Sequence, residues 1–176
     1  PVFLTRYTSD LVKVGDSTEV GDTESSAQVR FDLAELDNGN VVMTWYQLDF
    51  DVTFSEQGTV FFQIFSPDGA AITEPTRAKS TDAGFQQQPK VDVRDDGDLV
   101  VAYQDKAAVV DANGANPADV TLDYGTLTTV TTEPRLVATS DGGFAAVVEG
   151  LRASSDTQPV FLTRYTSDLV KVGDST

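Results

Sequence analysis

Eighteen residues occur twice in this chain without a single difference. PVFLTRYTSDLVKVGDST runs from Pro1 to Thr18 and again from Pro159 to Thr176, an offset of 158 residues. Identity over that length predicts one 158-residue unit of a tandem array followed by the opening of the next. The fold must therefore be one whose two ends can each meet a copy of the other.

Within the unit, three segments repeat a strand–turn–strand pattern: Val29 to Trp45 around Asp37-Asn38-Gly39-Asn40, Val91 to Tyr103 around Asp95-Asp96-Gly97-Asp98, and Leu136 to Val148 around Ser140-Asp141-Gly142-Gly143. Asx-Gly pairs between apolar runs signal hairpins, because these residues tolerate the positive φ that such turns require. The turn glycines Gly39, Gly97 and Gly142 are 58 and 45 residues apart. Each of these hairpins is followed by a second one: Thr59 to Ile72, Asp119 to Val130, and Val160 to Val172, of which Val2 to Val14 is the duplicate. The second strands VVMTWY, LVVAY and FAAVV are apolar at consecutive positions, as in strands buried on both faces of stacked sheets.

The expectation is all-β, an array of four-stranded antiparallel β-propeller-type blades, with β-sandwich tandem repeats as the alternative. Its divisions are 1–18 (the closing hairpin of a preceding repeat), 19–84, 85–133 and 134–176. Lys106 to Ala118 reads as a loop inside the middle blade.

Composition narrows function more than fold. The chain has no cysteine and no histidine, which removes disulfides, thiolate nucleophiles, His-based proton shuttles and His or Cys zinc sites. Acids outnumber bases 28 to 12, a net charge of −16 that argues against nucleic acid and fits either simple solubility or saline or calcium-rich surroundings. No apolar run reaches the roughly 20 residues of a membrane-spanning helix, so membrane insertion is not expected.

The blade pattern is similar to the repeat regions of large bacterial surface and secreted proteins of the RTX and adhesin type. The matching residues are Pro89 to Tyr103 (PKVDVRDDGDLVVAY), Pro134 to Val148 (PRLVATSDGGFAAVV), Asp37 to Trp45, and the hairpins FFQIFSPDG and FLTRYTSD. The resemblance implies an extracellular or cell-surface, repeat-built structural or adhesive protein, assembling head to tail with copies of itself or adjacent repeats. A calcium- or glycan-binding adhesin module and a propeller glycosidase are the other readings. No catalytic residues come with the resemblance, and no enzymatic activity is expected.

Three local features carry candidate chemistry. Asp111, Asn113, Asn116 and Asp119 offer oxygens in a loop that resembles propeller calcium loops, although Gly114 falls early and the same residues make an ordinary Asx-rich turn. Phe50 and Phe54, in DFDVTFSEQG, are candidates for a sugar- or surface-binding ligand site. Thr139-Ser140-Asp141-Gly142-Gly143 resembles the sialidase Asp box, itself a structural turn.

Overall fold

The computed structural model describes residues 2–20, 26–49, 57–78, 89–103, 105–111, 118–125, 127–130, 133–152 and 158–175. Among these the chain is all β, with no helix. A hairpin of β1 (Val2–Tyr7) and β2 (Lys13–Val20) precedes three four-stranded antiparallel sheets. The first sheet is β3 (Ser26–Glu35), β4 (Val41–Asp49), β5 (Gln57–Phe65) and β6 (Thr76–Arg77), paired in chain order. The second is β7 (Lys90–Val93), β8 (Leu99–Tyr103), β9 (Lys106–Val110) and β10 (Ala118–Thr121), again in chain order. In the third, β13 (Phe144–Arg152) pairs with β14 (Val160–Tyr165) on one edge, and with β12 (Arg135–Ala138) and β11 (Leu127–Val130) on the other. The sheets are propeller-type blades in series, and among the described residues they do not close into a ring.

Each expected Asx-Gly hairpin is present. In the turns the amides of Gly39, Gly97 and Gly142 donate to Leu36, Arg94 and Thr139 carbonyls at 2.8–2.9 Å. Three details differ from the sequence reading. Lys106–Val110 is a buried strand rather than a loop, because it pairs with both β8 and β10 and its alternate side chains, Ala107 and Val109 on one face and Ala108 and Val110 on the other, pack into the cores on either side of the second sheet. Leu127–Val130 joins β13 of the third sheet instead of closing the second; Pro134, having no N–H, interrupts the edge between β11 and β12. In the first sheet the fourth strand is Thr76–Arg77 rather than Ala70–Ile72, where a single Phe65–Ala71 bridge forms.

The cores lie between blades. Val42, Val60, Phe62 and Ile64 of the first sheet pack on Val91, Leu99, Val101 and Tyr103 of the second. The opposite face of the second sheet, with Val100, Ala102, Leu122 and Tyr124, packs on Phe144, Val148, Phe161 and Tyr165 of the third. Leu4 and Val20 of the β1–β2 hairpin cover Met43, Trp45 and Phe65 on the remaining face of the first sheet. Consecutive apolar residues in β4 and β8 are therefore needed because each blade is sandwiched. In β13, which has one neighbour, Phe144, Ala146 and Val148 are buried while Ala145 and Val147 are only half-buried.

Candidate functional site

The first strands of the three blades, β3, β7 and β12, lie side by side along the inner edge. Asp32, Lys90 and Arg135 each stand seven residues before their turn glycine and so occupy equivalent places. Lys90 Nζ lies 3.9 Å from Asp32 Oδ1 and 3.5 Å from Glu133 Oε2, bridging carboxylates that come from the first and third blades. Arg30 closes the group with a 2.6 Å contact to Glu133 Oε1. Arg30 sits at the register shift of β3 with φ of 60°, a left-handed conformation that costs a non-glycine residue about 1–2 kcal/mol. Carboxylates also tie inner strands through the backbone. Asp32 accepts from Val91 N–H at 3.2 Å, and Asp92 accepts from Ala138 N–H at 2.7 Å. The sequence reading missed this ionic seam: aligning the units on their turn glycines shows that Asp32, Lys90 and Arg135 are equivalent, but only blade packing brings the charges of different units together.

A second cleft, about 420 Å³, opens between the second and third blades, lined by Arg94, Asp98, Val109, Asp111, Ala118, Ser167, Asp168 and Leu169. Arg94 is buried, 2.9 Å from Asp96 and 3.9 Å from Asp98, and its Nε has no hydrogen-bond partner among the described residues. Burial, reinforced by the charge of Asp96, raises the pKa of Asp98. Of the calcium candidates, Asp111 lines this cleft and Asp119 is exposed on β10, while Asn113 and Asn116 lie outside the described residues. Among the described residues no group of three or more His, Cys, Asp or Glu side chains is arranged to hold a metal ion. Phe50 and Phe54 also lie outside the described residues.

The third feature is the pair of end faces. At one end Phe3 and Tyr7 on β1 are 55% and 58% exposed, and Phe31 and Leu33 on β3 are 55% and 46% exposed. At the other, Val137, Val160 and Leu162 of the third sheet are exposed. Pro89 and Pro134, the counterparts of Phe31 eight residues before their glycines, are both buried. Phe31 is exposed because the β1–β2 hairpin brings only outer strands and leaves the inner part of the first blade uncovered.

No protein-family model and no curated protein matches the sequence. Among solved structures, the chain is similar to the GH43 protein BlXynB of Bacillus licheniformis, with 15% identity, 80% of this chain and 28% of that chain covered, and a TM-score of 0.53. A mutant of the same protein gives 16% identity, 77% and 27% coverage, and a TM-score of 0.50. A Bacteroides caccae protein of unknown function aligns over 99% of this chain and 75% of that chain, with 9% identity and a TM-score of 0.44. The likeness to BlXynB shows a shared propeller-type fold, and the chain spans 28% of that protein's length.

This likeness corrects the expectation of no enzymatic activity, since a similar fold occurs in a GH43 glycoside hydrolase. The physical reason is that glycoside hydrolysis needs no histidine or cysteine, only two suitably placed carboxylates. Which carboxylates of such a fold come near one another is set by blade packing, which sequence spacing among 28 acids does not reveal.

Proposed function

We propose that the chain is a structural and adhesive module of a large extracellular or cell-surface protein, built by blade stacking and head-to-tail joining of 158-residue units. One observation carries the reading. The two identical segments bury opposite faces: Leu4 is buried and Phe3 and Tyr7 exposed in the first copy, whereas Phe161 and Tyr165 are buried and Leu162 exposed in the second. Together the copies describe both sides of one blade with a neighbour on each. Stacked repeats of this kind gain stability from each added interface. The acidic surface suits such a setting, where salt screens self-repulsion. Sedimentation equilibrium of the intact chain tests the reading. Mass should rise with concentration in steps of 18.9 kDa, and a monomer at every concentration up to the millimolar range would refute it.

A second reading is carbohydrate binding or processing at the inner strands. The bridge of Asp32 and Glu133 through Lys90, on a fold shared with a GH43 protein, favours it. A panel of aryl glycosides and immobilised glycans tests this: turnover or binding should fall in Asp32→Asn and Glu133→Gln, and an inactive, non-binding native chain would reject it.

A further inference from the structure

We propose that residues 1–18 of one chain take, in a second chain, the place beside β13 that residues 159–176 fill in their own, so that copies link by strand exchange. This rests on the head-to-tail reading above and names the joint. The place is specified by a ladder. Phe144 pairs with Tyr165, Ala145 with Arg164, Ala146 with Thr163, Val147 with Leu162 and Val148 with Phe161. Because the sequences are identical, substituting the incoming copy sets Tyr7, Arg6, Thr5, Leu4 and Phe3 opposite the same residues, with every backbone pair conserved.

The side-chain contacts are conserved as well. Tyr165 Oη accepts from Asp123 N–H at 2.7 Å, Lys171 Nζ meets Asp123 Oδ2 at 2.9 Å and Ser175 Oγ donates to Asp123 O at 2.7 Å. Tyr7, Lys13 and Ser17 carry the same groups at the same spacing. The incoming segment is also already a hairpin. Phe3 faces Glu19 and Leu4 faces Thr18, as Phe61 faces Arg77 and Phe62 faces Thr76 in the first sheet, so the β1–β2 register is that of a blade's outer half.

Exchange is therefore close to neutral in hydrogen bonds and favourable in apolar burial. The second chain brings its first sheet along, which covers the exposed face of the recipient's third sheet, where Val137 is 53% exposed. In return β12 and β13 of the recipient cover Phe31 and Leu33 of the second chain. The occupant of each end face is thus another copy of this chain, joined by a heterologous contact that propagates.

The chain has no cysteine, so a cross-link reports the joint directly. Chains carrying Arg6→Cys and Ala145→Cys are mixed, incubated below the melting temperature and oxidised, with Ala145→Cys/Arg164→Cys in one chain as the reference for the same ladder position. The expected result is a mixed disulfide dimer whose digest contains a peptide pair cross-linked between positions 6 and 145. Closure of the reference without the mixed dimer would overturn the proposal. Spin labels on the same two introduced thiols read the proximity without needing a bond; a short-distance population in the mixture supports exchange and its absence overturns it. Sedimentation of the same mixture separates the two ideas. Association without proximity of residues 6 and 145 leaves head-to-tail stacking standing and removes exchange, whereas monomers throughout remove both.

Discussion

The segments 2–17 and 160–175 have the same sequence and opposite insides. In the first, Leu4 points into the molecule and, with Val20 just beyond the segment, packs on Met43, Trp45 and Phe65, while Phe3 and Tyr7 face solvent. In the second, Phe161 and Tyr165 pack on the middle blade, Tyr165 stacks on Phe144 at 5.1 Å, and Leu162 faces solvent. Strand alternation permits both, because residues at i and i+1 point to opposite faces. The difference teaches that this strand has two working faces, and that burial is decided by which neighbour is present. The first sheet shows the completed state: Phe61, Gln63 and Phe65 turn to one side, Val60, Phe62 and Ile64 to the other, and both sides are covered.

The largest expected effect is a crossed pair of truncations, read by urea unfolding of the monomer. Phe161→Ala should cost about 3–5 kcal/mol and Phe3→Ala less than about 1 kcal/mol, since only Phe161 leaves a cavity. For the aliphatic neighbours the order reverses: Leu4→Ala should cost about 2–4 kcal/mol and Leu162→Ala about 1 kcal/mol or less. Equal losses at both copies would break the comparison.

Removing one hydroxyl sharpens it. Tyr165→Phe leaves Asp123 N–H without its partner and should cost about 1–3 kcal/mol, whereas exposed Tyr7 should tolerate the change with no measurable loss. Thermal unfolding of the two variants checks this, and a similar shift in both would count against it.

The turns give a smaller contrast. Leu11 and Leu169 both hold φ near 60°, where the first sheet uses Gly69. Leu11 is 82% exposed, so Leu11→Gly should relieve about 1 kcal/mol of backbone strain. Leu169 packs partly on the core beside the middle blade, so Leu169→Gly should gain less or lose slightly in the same unfolding assay.

The faintest effect is in pH. The Thr139 hydroxyl and the Arg164 guanidinium, at 2.6 Å each, hold Asp141 down to about 2 from its usual 3.8. A depressed carboxyl contributes stability that is complete above the unfolded pKa and is lost as pH falls through the folded one. Carboxyl NMR should find Asp141 ionised down to about pH 2. Arg164→Ala should move its titration upward, and an unmoved titration would remove the contact.

Much of the blade pattern was legible in the sequence because Asx-Gly turns and strands such as Leu99–Tyr103 obey local rules. Trp45, expected between sheets, is 1% exposed. What stayed hidden was non-local. Lys106–Val110 lacked a recognisable turn before it, and Leu127–Val130 carries no mark of which sheet it joins. The Arg30–Glu133–Lys90–Asp32 seam draws on residues that only blade packing brings together. Above all, eighteen identical letters could not say which side of each copy would be covered.

A chain of two covalently joined 158-residue units, closed by the final eighteen residues, tests the central claim most directly. Its middle copy of the segment would have a blade on each side. Differential scanning calorimetry should show one cooperative transition, at a higher temperature than the 176-residue chain. Two independent transitions at the temperature of the single chain would mean that the faces of the repeated hairpin do not join units, and would contradict the account.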